Sequence, residues 1–164
     1  MKEFLSVEGI VTGIEVMSTS VNDRSACTLL MSVRGRGEDT FNLVVSVDTY
    51  FVDHVNIRPG DHIIAFYDAL APMPLIFPPQ YRAIVIGKKS RRETIKVSHF
   101  NRNLISSDDS LRLNIGDRTK ILLQNGQTFL GNIGNRNLVV VYGISTKSIP
   151  AITTPYQIIV LCDN

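Results

Sequence analysis

Apolar and polar residues alternate along most of this chain, and the three-and-four spacing of an amphipathic helix is hard to find. Ile10, Thr12, Ile14 and Val16 predict one face of a first strand. Gly9 and Gly13 lie on its other face, where missing side chains let a strand bend sharply. Cys27, Leu29, Met31 and Val33 predict one face of a second strand, residues 34–39 a turn cluster, and Phe41, Leu43 and Val45 a third strand. Residues 48–53 suit a short helical turn or a bend. Residues 56–61 contain Pro59-Gly60 and predict a tight turn into a fourth strand at 62–67, with a fifth at 82–86.

The second half repeats this scheme more compactly. Strands are predicted at 94–100, at 104–106 and 111–115 around the turn 107–110, and at 138–142 and 157–161. Residues 120–123 and 128–133 form a predicted hairpin about Asn125-Gly126. Residues 66–86 and 141–161 share one pattern of strand, Pro-rich apolar loop, Tyr and strand. The identities are Tyr67/Tyr142, Tyr81/Tyr156, Ile84/Ile159 and Val85/Val160, and residues 111–119 align with 41–49. Repetition at a near-fixed offset indicates one structural unit used twice. The expected fold is all-β, a tandem repeat of two small OB-like Greek-key barrels with little helix. The expected domains are residues 1–88 and 93–164, joined near 87–92.

Composition narrows the function. The chain has 164 residues, 44% hydrophobic and 20% charged, ordinary values for a soluble globular protein. No apolar run approaches the roughly 18 residues of a membrane span. The start is too acidic for a secretory signal, so the expected location is cytoplasmic and no membrane partner is expected. Cys27 and Cys162 are expected to be free, buried thiols. The net charge of +2 is uneven. Residues 1–90 hold 8 Lys and Arg against 10 Asp and Glu, and residues 91–164 hold 9 against 5. Neither half carries the dense basic stripe of a nucleic-acid protein, and the run Lys88-Lys89-Ser90-Arg91-Arg92 reads as a solvated linker.

Catalytic chemistry is hard to assemble. Asp53-His54 and Asp61-His62 are the candidate metal-ligating pairs, and both read better as solvated residues beside a turn. His99 stands alone. No nucleophile elbow or phosphate-binding loop is present. Residues 131–137, with two glycines, open no helix and read as a connection between strands. Asp108-Asp109 reads as an exposed turn, since adjacent carboxylates point apart. No catalytic residue, metal or cofactor is expected, and the chain is expected not to be an enzyme.

The most unusual segment is a loop carrying Pro72, Met73, Pro74, Leu75, Ile76, Phe77, Pro78, Pro79 and Tyr81. Surface loops are normally polar. One this apolar must cap its own barrel, pack on the other, or bind a partner, and a homo-oligomer is the partner expected. The block Thr49…Gly60-Asp61…Phe66-Tyr67…Pro78-Pro79-Gln80-Tyr81…Ala83-Ile84-Val85 resembles a family of small, functionally uncharacterised bacterial proteins. It is similar to a module found beside copper amine oxidase N-terminal-like domains, where the segment typically reads Thr-Arg-Ser-Leu/Ile-Pro-Pro-Gln. Here Thr146-Lys147-Ser148-Ile149-Pro150-Ala151 and Pro78-Pro79-Gln80 carry the likeness. The resemblance implies no activity. The expected function is a non-enzymatic binding or assembly module. The alternative is single-stranded nucleic-acid binding, which needs stacking aromatics on a basic groove. Here Tyr50, Phe51, Phe66, Tyr67, Phe77 and Tyr81 lie in the acidic half, so nucleic acid is not the expected partner.

Overall fold

β1 (Phe4–Val16) is long enough to be shared between two neighbours. Its first half pairs antiparallel with β5 (His62–Asp68), and its second half with β2 (Leu29–Arg34). The structure is a computed structural model that describes residues 2–17 and 25–162. It is all-β: thirteen strands, one 3-10 turn at Val52–His54, and no α-helix among the described residues. The chain divides into two compact units, Met1–Lys89 and Ser90–Asn164.

In the first unit, β3 (Thr40–Val45) pairs antiparallel with β2. β4 (Tyr50–Phe51) pairs parallel with β7 (Val85–Lys88), and β6 (Gln80–Arg82) pairs parallel with β3. β7 also pairs antiparallel with β5. Residues 80–88 therefore meet β3 with one end and β5 with the other. The expected fifth strand is thus split in two around Ala83-Ile84. Val11, Met31, Val33, Phe41, Leu43, Val45, Ile63 and Ile86 form the core, which the alternation in β2 and β3 anticipates. The Pro59-Gly60 turn forms as expected: Gly60 has φ +97°, and the Asp61 N–H donates to Arg58 O at 3.0 Å.

β1 departs from its expected alternation. A bulge between Val11 and Gly13 shifts the register, so Val7, Val11 and Ile14 pack inward while Thr12 and Val16 are exposed. One extra residue reverses every face beyond it. The two cysteines are free, as expected, but exposed rather than buried; Cys27 lies just before β2 rather than on its inner face.

In the second unit, β8 (Thr94–Phe100) and β13 (Gln157–Leu161) flank β11 (Arg136–Tyr142), both antiparallel. β10 (Lys120–Leu123) pairs parallel with β13, and β9 (Leu111–Leu113) parallel with β12 (Ala151–Thr153). Phe100, Leu111, Leu113, Ile133, Leu138, Val140, Ile158 and Val160 form its core. The Asn125-Gly126 turn closes, with Leu123 N–H on Gln127 O at 2.7 Å. Its expected second strand at 128–133 does not form. Only the bridge Leu122↔Thr128 extends the turn, and β10 spends its other edge on β13. Residues 104–106 make bridges at Ile105 and Ser106 rather than a strand.

The tyrosine match between the halves also fails at one place. Tyr81 stands opposite Leu43, whereas the Tyr156 N–H donates to Val141 O at 2.9 Å. In the first unit that second place belongs to Ile84, whose N–H donates to Phe66 O at 2.8 Å. Phe66 and Val141 are 75 positions apart, Ile84 and Tyr156 are 72 apart, and the difference is three extra residues in the first loop.

Asp108 is more than an exposed turn residue. Its carboxylate accepts hydrogen bonds from Lys96 Nζ at 2.8 Å, Ser106 Oγ at 2.6 Å and Ser110 Oγ at 2.7 Å. Partial burial raises its pKa, but these donors and the Ser110 N–H outweigh burial and hold it well below the usual carboxylate range. A depressed folded pKa means that the contribution is present above the unfolded value of about 3.9 and is lost as pH falls through the folded one. Asp108→Asn is therefore expected to cost about 1–2 kcal/mol at neutral pH, discounted because the side chain is half exposed. The gap between variant and wild type should narrow below about pH 4 in urea titrations. A pH-independent gap would contradict this role.

Candidate functional site

The Pro-rich loop joins β5 to β6 and is fastened at both roots. Asp68 Oδ1 accepts the Leu70 N–H at 3.0 Å, and Pro79 O accepts the Asn42 N–H at 2.8 Å. The Tyr81 ring closes the far root. It lies 4.4 Å from the Tyr67 ring and edge-on to Phe41 at 5.8 Å. Burial first, and then the neighbouring Tyr81, push the Tyr67 hydroxyl pKa up.

Between the roots the side chains face outward. Leu75 is 102% exposed, Phe77 87% and Ile76 54%; Pro72, Met73 and Pro74 are exposed as well. Pro78, Pro79 and Tyr81 are half-buried. Of the three expected alternatives, exposure of the tip speaks against the cap on its own barrel. At its far root the chain is held by the pairing of β6 with β3.

The second unit has an exposed apolar loop at the corresponding place, between β11 and β12, which was not among the expected site residues. Ile144 and Ile149 are 91% and 93% exposed. The signal was present: both isoleucines stand in a segment otherwise made of Ser, Thr, Lys and Gly.

Each loop roofs a recess. In the first unit a cavity of about 370 Å³ is lined by Met17, Val44, Tyr67, Met73, Arg82 and Ile84, among others. In the second, a cavity of about 520 Å³ is lined by Asn114, Gly143, Ile144, Thr146, Thr154 and Tyr156, among others. On the other flank of the first loop, Phe41, Phe77 and Tyr81 meet Glu8, Glu38 and Asp39 around a further 400 Å³.

The remaining sequence candidates serve the fold. Asp61 accepts the Arg58 N–H at 2.8 Å and faces Lys88 Nζ at 3.6 Å. His54 packs edge-on against Tyr50 at 5.6 Å, and His62 is exposed. Among the described residues no group of three or more His, Cys, Asp or Glu could hold a metal ion. Residues 131–137 are tied to themselves, with Arg136 Nε donating to Asn132 O at 2.7 Å and its guanidinium 4.8 Å above the Phe129 ring. Two lysines of the basic run face carboxylates: Lys88 faces Asp61, and Lys89 Nζ reaches Glu8 Oε2 at 3.0 Å. The Lys89 hydrogen bond is the main reason the Glu8 carboxyl is held below its usual range. Among the described residues no helix is long and apolar enough to cross a membrane. Compared with protein-family models, with curated proteins and with solved structures, the chain matches none.

Proposed function

We propose that this chain is a non-enzymatic binding and assembly module built as a tandem pair of OB-like Greek-key barrels. In this reading the loop between β5 and β6 joins one copy to another. The module belongs with the uncharacterised bacterial proteins whose Pro-Pro-Gln segment it resembles. The strand pairings support the repeat. β1, β3, β4, β5, β6 and β7 have counterparts in β8, β9, β10, β11, β12 and β13 with the same neighbours and directions. A threonine does the same work in each unit. Thr49 Oγ1 donates to Ala83 O at 2.8 Å and accepts the Ser46 N–H, while Thr119 Oγ1 donates to Pro155 O at 2.7 Å and accepts the Gly116 N–H. In the first unit β6 meets β3 and β7 meets β5, and in the second β12 meets β9 and β13 meets β11, pairings that favour a barrel-like unit. Two free thiols suit a reducing, cytoplasmic setting.

The observation that carries the assembly reading is the solvent exposure of Leu75, Ile76 and Phe77 on a loop whose roots are fixed. Burying each such side chain is worth roughly 1.5–3 kcal/mol, and a two-fold contact counts every residue twice. Prolines lower the entropy lost on ordering the tip. Nucleic-acid binding is disfavoured because Lys88 and Lys89 are already engaged with carboxylates.

The test is Phe77→Asp, read by light scattering and thermal melting. Wild type should scatter as a dimer or larger, and the variant as a monomer of nearly unchanged stability, within about 0.5 kcal/mol. A monomeric wild type, or a variant of unchanged mass, would sink the assembly reading. Tight, salt-sensitive binding of single-stranded DNA would favour the alternative.

A further inference from the structure

We propose that the recess beneath the first unit's loop binds a small amphipathic organic anion, with Arg82 receiving its charged group. This does not depend on assembly, because the recess lies under Pro72–Pro74 and the proposed contact uses the tip beyond them. At about 370 Å³ the recess has the size of a small-molecule site.

The β3–β6 register builds it. Leu43 and Tyr81 share a rung and pack against the core, so the next rung, Val44 and Arg82, turns to the opposite face. Val44, Ile84, Met17 and Met73 then supply an apolar lining with a guanidinium at its edge. Arg82 makes no ion pair or side-chain hydrogen bond among the described residues. The one carboxylate lining the recess, Asp68, is engaged: its Oδ1 accepts the N–H groups of Glu3 and Leu70 at 3.1 and 3.0 Å. Lys2 also lines the recess. An uncommitted guanidinium beside an apolar surface suits a carboxylate, sulfonate or phosphate carried on an apolar body, because its fork matches such oxygens.

The second unit supplies the contrast. Its rung equivalent to Val44 and Arg82 is Asn114 and Thr154, joined by a 3.0 Å hydrogen bond between their side chains, and its recess is lined by no charged residue. That site has nothing with which to select an anion.

The probe is anilinonaphthalene sulfonate, titrated by fluorescence into the full chain. Wild type should bind it, decanoate should displace it, and decanol should displace it far less well. Arg82→Thr, which installs the second unit's residue at an exposed position, should weaken the dye about tenfold without changing the melting temperature. Met73→Glu, which places a carboxylate over the recess, should weaken it as well. Phe77→Asp should leave binding intact, and this separates the site from the assembly contact. Equal affinity in Arg82→Thr, equal competition by decanol, or loss of binding in Phe77→Asp alone would overturn the assignment.

Discussion

Phe100→Ala is expected to lower the stability of the second unit by about 3–5 kcal/mol, a large share of the roughly 5–15 kcal/mol that holds a domain together. Phe100 is fully buried and packs with Leu111, Leu113, Leu138, Val140, Ile158 and Val160, which come from three different strands. Its backbone is equally committed, pairing with Arg136 in β11 and bridging to Ser106 on its other side. Removing the ring leaves a void that two sets of ladder hydrogen bonds prevent from collapsing, so the cavity cost adds to the lost transfer energy. The unit is small, and other contacts offer little compensation. Urea denaturation followed by far-UV circular dichroism would measure the loss. Phe77→Ala, which removes the same ring from an exposed position, should change the midpoint very little. A loss below about 1 kcal/mol at Phe100 would mean that the core does not close around it.

The sequence revealed the interior better than the surface, because burial leaves a periodic signal and exposure of an apolar loop does not. Met31 and Val33, and Phe41, Leu43 and Val45, are buried on alternate positions as the pattern predicts. The first strand misled because its period breaks at a bulge that only pairing with β2 reveals. Residues 128–133 read as a hairpin strand because Asn-Gly is a local signal. The choice of β13 as the partner of β10 is non-local. The three-residue strands β6 and β12 are too short to carry a period, yet they set the register of both loops. Arg82 entered the sequence reading only as the start of the expected fifth strand. Its role depends on which face the β3 rung gives it. The exposed turn at Asp108 was legible, but its hydrogen bonds were not, because no spacing rule links Lys96, Ser106 and Ser110 to a carboxylate.

The glycines of β1 give the sharpest second test, because two of them sit four residues apart under opposite constraints. A Cβ at Gly9 would lie 2.8 Å from the backbone carbon of Arg34 and 2.8 Å from Val33 Cγ1, and it would strike the Arg34 carbonyl oxygen. At Gly13 it would meet nothing within 4 Å. Gly9 is buried and paired with Ile63 of β5, so the strand cannot turn the new methyl away without opening that ladder. The obstacle is backbone, which cannot swing aside as a side chain can. β2 would have to move at Arg34, where its pairing with β1 begins at Ile10. The same shift would disturb Val11, whose N–H donates to Asp61 O at 2.9 Å and whose carbonyl accepts the Gly60 N–H at 2.7 Å. Gly9→Ala is therefore expected to cost about 2–3 kcal/mol, and Gly9→Val more, as overpacking against unyielding atoms does. Gly13→Ala should be neutral or stabilising by about 0.4–1 kcal/mol, since it only restricts the unfolded chain. Urea midpoints of the two alanine variants decide the matter. If both fall together, or neither moves, the approach of Gly9 to Arg34 is not the close contact that fixes the first unit.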